Sequence, residues 1–263
     1  MAPITALRID AESDTEALIE RHSEAVAAGF DGIELTMPVP DPGAAEGGGD
    51  VSWLRARSRR EGEVPAAPYD SHVRLDVVAL AAGLTTTDLD TARDELVTLL
   101  DRGAGLGARC LNLTIPSTQS SDAARGFPRY QDALNFTYDL LNRCRFESER
   151  SGVPIALEVA CGGCFLSPVE VRELVDAVNT WSIGACVDVP RAGVVGSPAD
   201  WMATLERRVH CVRLDHAPLA ETPAGKDLAR ALHEIHYDRP LIVQSSRPAA
   251  ELRALLGDFL PAR

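Results

Sequence analysis

Residues 153–160 read VPIALEVA and residues 183–192 read IGACVDVPRA, and these two stretches decide the fold. Each is a short run of β-forming residues with one carboxylate near its C-terminal end, Glu158 in the first and Asp188 in the second. A Ser-Pro signal for a helix start follows each run. Strands that alternate with helices in this way predict a parallel sheet.

The same alternation continues in both directions along the chain. The predicted strands cover residues 4–9, 31–38, 64–69, 110–115, 153–160, 183–189, 209–214 and 240–244. The predicted helices cover residues 15–28, 51–60, 87–106, 122–151, 167–180, 197–207, 226–237 and 248–260. Eight strand–helix units in about 250 residues predict an α/β fold of the (β/α)8 TIM-barrel type, formed as a single domain over residues 1–263.

Polar side chains fall on the inward face of most predicted strands. Successive side chains on a strand point to opposite faces, and the strongly apolar positions must face the surrounding helices. The inward positions then hold Arg8, Glu34, Asn112, Glu158, Asp188, Cys211, Arg213 and Gln244. A purely structural interior would hold branched apolar residues, and barrel active sites form at the C-terminal ends of the strands. We therefore predict a ligand site at that end.

The overall charge and the N-terminus limit the partners. A net charge of -13 argues against nucleic-acid binding, which needs a clustered basic surface. The first residues, MAPITALRID, have neither a basic nor an apolar leader segment, and no apolar run approaches a membrane span. We expect a cytoplasmic protein with a small-molecule substrate, no nucleic-acid partner and no membrane contact, and a homodimer is left open.

Five motifs carry a resemblance to a known family. In chain order they are GFDGIEL (29–35), LEVACGGCFLSP (157–168), CVDVPRAG (186–193), VHCVRLDHA (209–217) and PLIVQ (240–244). Together they resemble the xylose-isomerase-like TIM barrels, the sugar phosphate isomerase/epimerase superfamily.

That resemblance implies a metal site, from which this chain departs. In the sugar isomerases and epimerases of the family, Glu, Asp, His and Glu on strands five to eight bind one divalent metal. The first two positions are kept as Glu158 and Asp188. Arg213 stands at the histidine position, Gln244 at the second glutamate position, and Arg191 at the position of a further histidine.

These departures leave the cofactor open. The resemblance implies a divalent metal (Mn, Mg or Zn) held by Glu158, Asp188 and Gln244. An arginine has no lone pair to give a metal and stays protonated in proteins. The substitution therefore favours a degenerate site in which Arg213 takes the place and the charge of the metal.

The roles follow from these positions. We predict that Glu158 is the leading base and Asp188 the second acid/base, while Arg191 and Arg213 stabilise an enolate oxygen or clamp a substrate anion. Two histidines, predicted to lie in loops after the third and seventh strands, are candidate general bases. The predicted catalytic residues are Glu158, Asp188, Arg213 and His216, and the predicted substrate-binding residues are Arg191, Gln244, His72, Asn112 and Glu34.

The predicted function is that of an isomerase or epimerase, which moves a proton on a small hydroxy-carbonyl compound that is sugar-like or carboxylated. One alternative is a metal-free lyase, dehydratase or cyclase of specialised metabolism on the same scaffold. Another is a barrel that binds a small molecule without catalysis.

Overall fold

The computed structural model describes residues 3–10, 15–37, 76–116, 118, 126–159, 164–215, 222–244 and 247–259. Eight parallel strands close into a barrel in chain order, which confirms the predicted (β/α)8 fold. The strands are β1 (Ile4–Asp10), β2 (Gly32–Thr36), β3 (Asp76–Gly83), β4 (Leu111–Thr114), β5 (Ile155–Glu158), β6 (Ile183–Asp188), β7 (Val209–Asp215) and β8 (Pro240–Gln244).

The helices of the described residues surround this barrel. They are α1 (Thr15–Ala28), α2 (Leu89–Leu106), α3 (Tyr130–Ser151), α4 (Pro168–Val178), α5 (Val189–Val195), α6 (Pro198–Leu205), α7 (Pro223–Glu234) and α8 (Ala249–Phe259). Local signals set their ends: Asp88 caps α2 by accepting a hydrogen bond from the backbone N–H of Thr91 at 2.9 Å, and Gly107 ends the helix at φ 73°. None of these helices combines the length and apolarity needed to span a bilayer.

The barrel separates two apolar layers. Outward side chains of the strands, such as Leu7, Leu157 and Val187, pack with the helices in one large core. Beneath the strand ends, the barrel interior is filled by a separate cluster of mostly small residues: Ala6, Val78, Ala79, Cys110, Ala156, Cys186, Cys211 and Ile242. This cluster fills the barrel interior on the N-terminal side of the polar inward residues, which therefore gather at the C-terminal ends of the strands.

The third strand differs from the prediction. Residues 64–69 lie outside the described residues, and β3 is Asp76–Gly83. Its sequence, DVVALAAG, is rich in alanine, which is a poor β-former in isolation. Pairing with β2 and β4 overrides that local preference. His72 therefore precedes the third strand in the chain, which corrects its predicted place after the strand.

The chain between β6 and α6 also differs. The helix α5 follows β6 directly, although no helix was predicted there. Asp188 explains it, because its side chain accepts a hydrogen bond from the backbone N–H of Arg191 and so begins the helix. The predicted strand over 183–189 is one residue shorter in the structure, and Asp188 ends the strand and caps the helix at once.

Candidate active site

The C-terminal strand ends bring most of the predicted residues together. Glu34, Asn112, Glu158, Asp188, Arg213 and Gln244 lie on β2, β4, β5, β6, β7 and β8, and Arg191 lies in the first turn of α5. We call this group, together with Arg8 on β1, the mouth. The predicted candidates His72 and His216 lie outside the described residues.

Arg213 lies at the centre of the mouth. Its Nη2 donates a hydrogen bond to Oε1 of Glu34 at 2.9 Å. Its Nη1 lies 3.2 Å from Oε1 of Glu158 and 3.7 Å from Oδ2 of Asp188. Burial by itself would lower the pKa of Arg213, but the surrounding carboxylates, Glu34 foremost, raise it well above its ordinary value. The guanidinium is therefore a fixed positive charge between three carboxylates.

Glu34 and Asn112 support Arg213 from beneath. Both side chains are buried, and Nδ2 of Asn112 donates to Oε1 of Glu34 at 2.6 Å. The other oxygen of Glu34, Oε2, accepts no hydrogen bond among the described residues and lies 3.6 Å from Nη1 of Arg8. Burial of a carboxylate without a paired charge is costly, and Arg8 and Arg213 supply the paired charge for Glu34. Glu34 and Asn112, which the sequence predicts to bind the substrate, thus make hydrogen bonds or ion pairs with protein atoms.

Glu158 has hydrogen-bond donors at both carboxylate oxygens. Oε1 accepts from Nη1 of Arg191 and faces Arg213, and Oε2 accepts from the hydroxyl of Thr114 at 2.6 Å. Burial favours a raised pKa, but the charge of Arg213, the Thr114 hydrogen bond and the charge of Arg191 outweigh it and lower the pKa of Glu158. The carboxylate is therefore ionised at neutral pH.

Asp188 lies in a different electrostatic environment. Burial raises its pKa, and the backbone N–H of Arg191 and the charge of Arg213 only partly offset this. Two carboxylates that face the same nitrogen of Arg213 thus have pKa values shifted in opposite directions. Burial thus opposes the charged form of Asp188, whereas hydrogen bonds and neighbouring guanidiniums stabilise the charged form of Glu158.

Arg8 and Gln244 form the opposite side of the mouth. Nη1 of Arg8 donates to Oε1 of Gln244 at 3.0 Å, and its Nε donates to the hydroxyl of Thr36 at 2.9 Å. Gln244 is exposed and Arg8 is partly exposed, so both reach solvent above the buried carboxylates.

Two threonines of this network were not predicted. Thr114 donates a hydrogen bond to Glu158, and Thr36 accepts one from Arg8. The alternation that turns Asn112 inward also turns Thr114 inward two residues later, so the signal was in the sequence. It was overlooked because a threonine on a strand is also an ordinary β-forming residue.

The fold and these residues can be compared with known proteins. The family described as xylose isomerase-like TIM barrel matches residues 23–259 of the chain. The chain belongs to this family. No curated protein matches it.

Several solved structures share the fold at low sequence identity. The 3-keto-D-glucoside 4-epimerase YcjR from E. coli is similar over 98% of this chain and 98% of its own, with 13% identity and a TM-score of 0.69. An L-ribulose 3-epimerase is similar over 99% of this chain and 95% of its own, with 16% identity and a TM-score of 0.68. The IolI protein, solved with a bound zinc atom, is similar over 98% and 96%, with 16% identity and a TM-score of 0.61.

The donor set in the mouth does not fit the divalent metal that the sequence resemblance implies. Arg213 lies against both Glu158 and Asp188, and a guanidinium repels a cation and offers it no lone pair. Oε1 of Gln244, the third predicted ligand, accepts from Arg8. In the part of the chain that the structure describes, no three His, Cys, Asp or Glu side chains are grouped to hold a metal.

Proposed function

We propose that this chain catalyses proton transfer between adjacent carbon atoms of a small hydroxy-carbonyl compound, as an isomerase or epimerase does. The observation that carries the proposal is the pair Glu158 and Asp188, which face one nitrogen of Arg213 at 3.2 and 3.7 Å from the ends of adjacent strands. The surroundings shift the pKa values of these two carboxylates in opposite directions, and such different environments suit different roles in proton transfer. The epimerases among the similar structures add support.

Each residue of the mouth has a role in this proposal. Ionised Glu158 takes the proton from the carbon next to the carbonyl, and Asp188, whose pKa is raised by burial, gives its own proton to the carbon or to the oxygen. Arg213 positions both carboxylates, and Glu34 and Asn112 position Arg213. The exposed side chains of Arg191 and Gln244 contact the substrate. His216 and His72 remain predictions from the sequence, as does a homodimer.

Hydrogen exchange in heavy water tests the proposal without knowledge of the product. The protein is incubated in D2O with a set of ketoses, aldoses, keto acids and sugar phosphates, and NMR detects deuterium at the carbon next to the carbonyl. We expect exchange with at least one compound, and a loss of about 100-fold or more in Glu158→Gln and Asp188→Asn, because each removes a proton-transfer group.

Glu234→Gln is the matched control for this experiment. Glu234 is the last residue of the outer helix α7, its side chain is 64% exposed, and its carboxylate lies 4.0 Å from Nε of Arg230. The control should exchange deuterium at the wild-type rate. Full activity in Glu158→Gln, with an unchanged melting temperature, would rule out its role as the base.

A metal-free lyase, dehydratase or cyclase is the second candidate. The position of Arg213 favours it, because a fixed cation can stabilise a developing oxyanion without a metal. The same NMR spectra separate the candidates: elimination or cleavage yields a product with a changed carbon skeleton or one water fewer, whereas epimerisation conserves every atom. A compound that raises the melting temperature but neither exchanges nor reacts would indicate a binding protein.

A further inference from the structure

The charged groups of the mouth are arranged by depth. Among the described residues, the side chains of Glu34 and Glu158 are 0% and 5% exposed, whereas those of Arg8 and Arg191 are 22% and 47% exposed. A ligand that enters from solvent therefore meets guanidiniums before it reaches those carboxylates. Asp215, the partly exposed acid at the end of β7, is itself engaged in an interaction.

Glu158 is blocked as a base in this arrangement. Arg191 and Arg213 face one of its oxygens, and Thr114 donates to the other. Such charge-assisted hydrogen bonds stabilise the carboxylate and lower its basicity. A carbon acid is a weak acid, so proton abstraction requires that at least one of these donors leaves.

Arg191 is the donor that can leave. Arg213 is 3% exposed and is held by two other carboxylates, and Thr114 is part of a barrel strand. Arg191 lies on the seven-residue helix α5, and its side chain is 47% exposed. Its guanidinium can swing into solvent without opening the barrel.

We propose that an anionic group of the substrate, a carboxylate or a phosphate, binds Arg191, draws it away from Glu158 and so frees the base. This inference rests on the proposed function and names its substrate class, an anionic hydroxy-carbonyl compound. A neutral sugar offers only uncharged oxygen atoms, which compete poorly with a carboxylate for a guanidinium. Substrate binding and activation of the base are thereby coupled, and a neutral compound in the mouth leaves Glu158 blocked.

Calorimetric titration of matched anion and neutral pairs at low ionic strength tests the coupling. The pairs are glycolate and ethylene glycol, glycerate and glycerol, glycerol 3-phosphate and glycerol, and D-glucuronate and D-glucose. We expect at least one anion to bind the wild-type protein about tenfold more tightly than its neutral partner, with carboxylates and phosphates compared separately. Equal binding in every pair, or no binding by any anion, overturns the proposal.

Variants locate the effect at Arg191. Arg191→Gln should reduce the anion preference to less than about threefold, and Arg191→Lys should restore part of it, because the charge rather than the fork shape starts the displacement. Arg143→Gln is the control, since Arg143 is also 47% exposed and pairs with Asp90 at 2.7 Å on the outer helices. It should keep the wild-type preference. A preference retained in Arg191→Gln would place the anion elsewhere.

Glu158→Gln reports the coupling itself. This variant removes the carboxylate that pairs with Arg191 in the wild type, so it should bind the anion more tightly than the wild type does. Unchanged or weaker binding would show that Arg191 is not released from Glu158. If the protein exchanges deuterium into a neutral sugar and binds anions no more tightly than neutral compounds, only this inference is contradicted. If it binds an anion but exchanges deuterium into no compound, the proposed function is contradicted.

Discussion

Arg213 is the residue on which the charge balance of the mouth depends. Its two terminal nitrogens face Glu34, Glu158 and Asp188, all of them buried. Together with Arg8 and Arg191, it matches three carboxylates with three guanidiniums. A single arginine that bridges several carboxylates can supply the fixed charge that a cation would supply in the same position.

Removal of that guanidinium should cost stability. Arg213→Met leaves buried carboxylates without their shared partner, and we expect the free energy of unfolding to fall by about 3–5 kcal/mol in urea titrations at neutral pH. Arg230→Met is the control, because the Arg230 side chain is 68% exposed, and it should change stability by less than about 1 kcal/mol. An Arg213→Met protein as stable as the wild type would mean that the carboxylates take up protons at little cost.

The strands β6 and β7 show how an element positions the site. Their register shifts between Ala185 and Cys186, so that His210 has no partner on β6, while Asp188 comes to lie opposite Arg213. Gly184 accommodates this irregularity, because a Cβ there would lie 2.3 Å from Cδ2 of His210 and 2.4 Å from the carbonyl oxygen of Arg208. The bulge thus sets which residues of the two strands meet at the mouth.

A methyl group at this position should disturb the pairing. We expect Gly184→Ala to lower the free energy of unfolding by about 1–3 kcal/mol, because the backbone oxygen cannot move aside as a side chain can. In Gly105→Ala, a control in helix α2, the new Cβ meets nothing within 4 Å and should stabilise the protein by about 0.5–1 kcal/mol. A Gly184→Ala protein as stable as the wild type in urea unfolding would show that the bulge can relax.

The whole molecule contains a buried group that opposes folding in acid. His210 is 5% exposed, its Nδ1 has no hydrogen-bond partner among the described residues, and burial and the charge of Arg239 lower its pKa from 6.5 to about 3. The folded protein therefore keeps this histidine neutral where the unfolded chain takes up a proton. Stability from this group is present above pH 6.5 and is lost as the pH falls from there toward 3.

Unfolding measured at several pH values tests the direction in which the free energy of unfolding changes with pH. Between about pH 6.5 and 5, the wild-type free energy of unfolding should fall with pH, and His210→Gln should reduce the slope by up to about 1.4 kcal/mol per pH unit. Glu158 contributes in the same direction only at lower pH, because its pKa is lowered from 4.5. His233→Gln on helix α7 should keep the wild-type slope. Identical slopes in all three proteins would assign the acid sensitivity to other groups.

The sequence by itself determined the barrel and the inward direction of its polar residues. Alternation along each strand is a local property, since the apolar positions that must face helices leave their neighbours facing the interior. This was enough to predict that Glu158, Asp188 and Arg213 point inward. It failed at β3, where an alanine-rich run forms a strand only because β2 and β4 supply hydrogen-bond partners on both sides.

Only the tertiary structure decided which charges meet. The stagger of eight strands sets the height of each side chain in the mouth, and no local pattern encodes it. That stagger brings Arg213 to Glu34 from across the barrel, and the cap at Asp188 turns α5 so that Arg191 reaches Glu158. The charge pairs depend on contacts between residues far apart in the chain, because electrostatic interactions act through space rather than along the sequence.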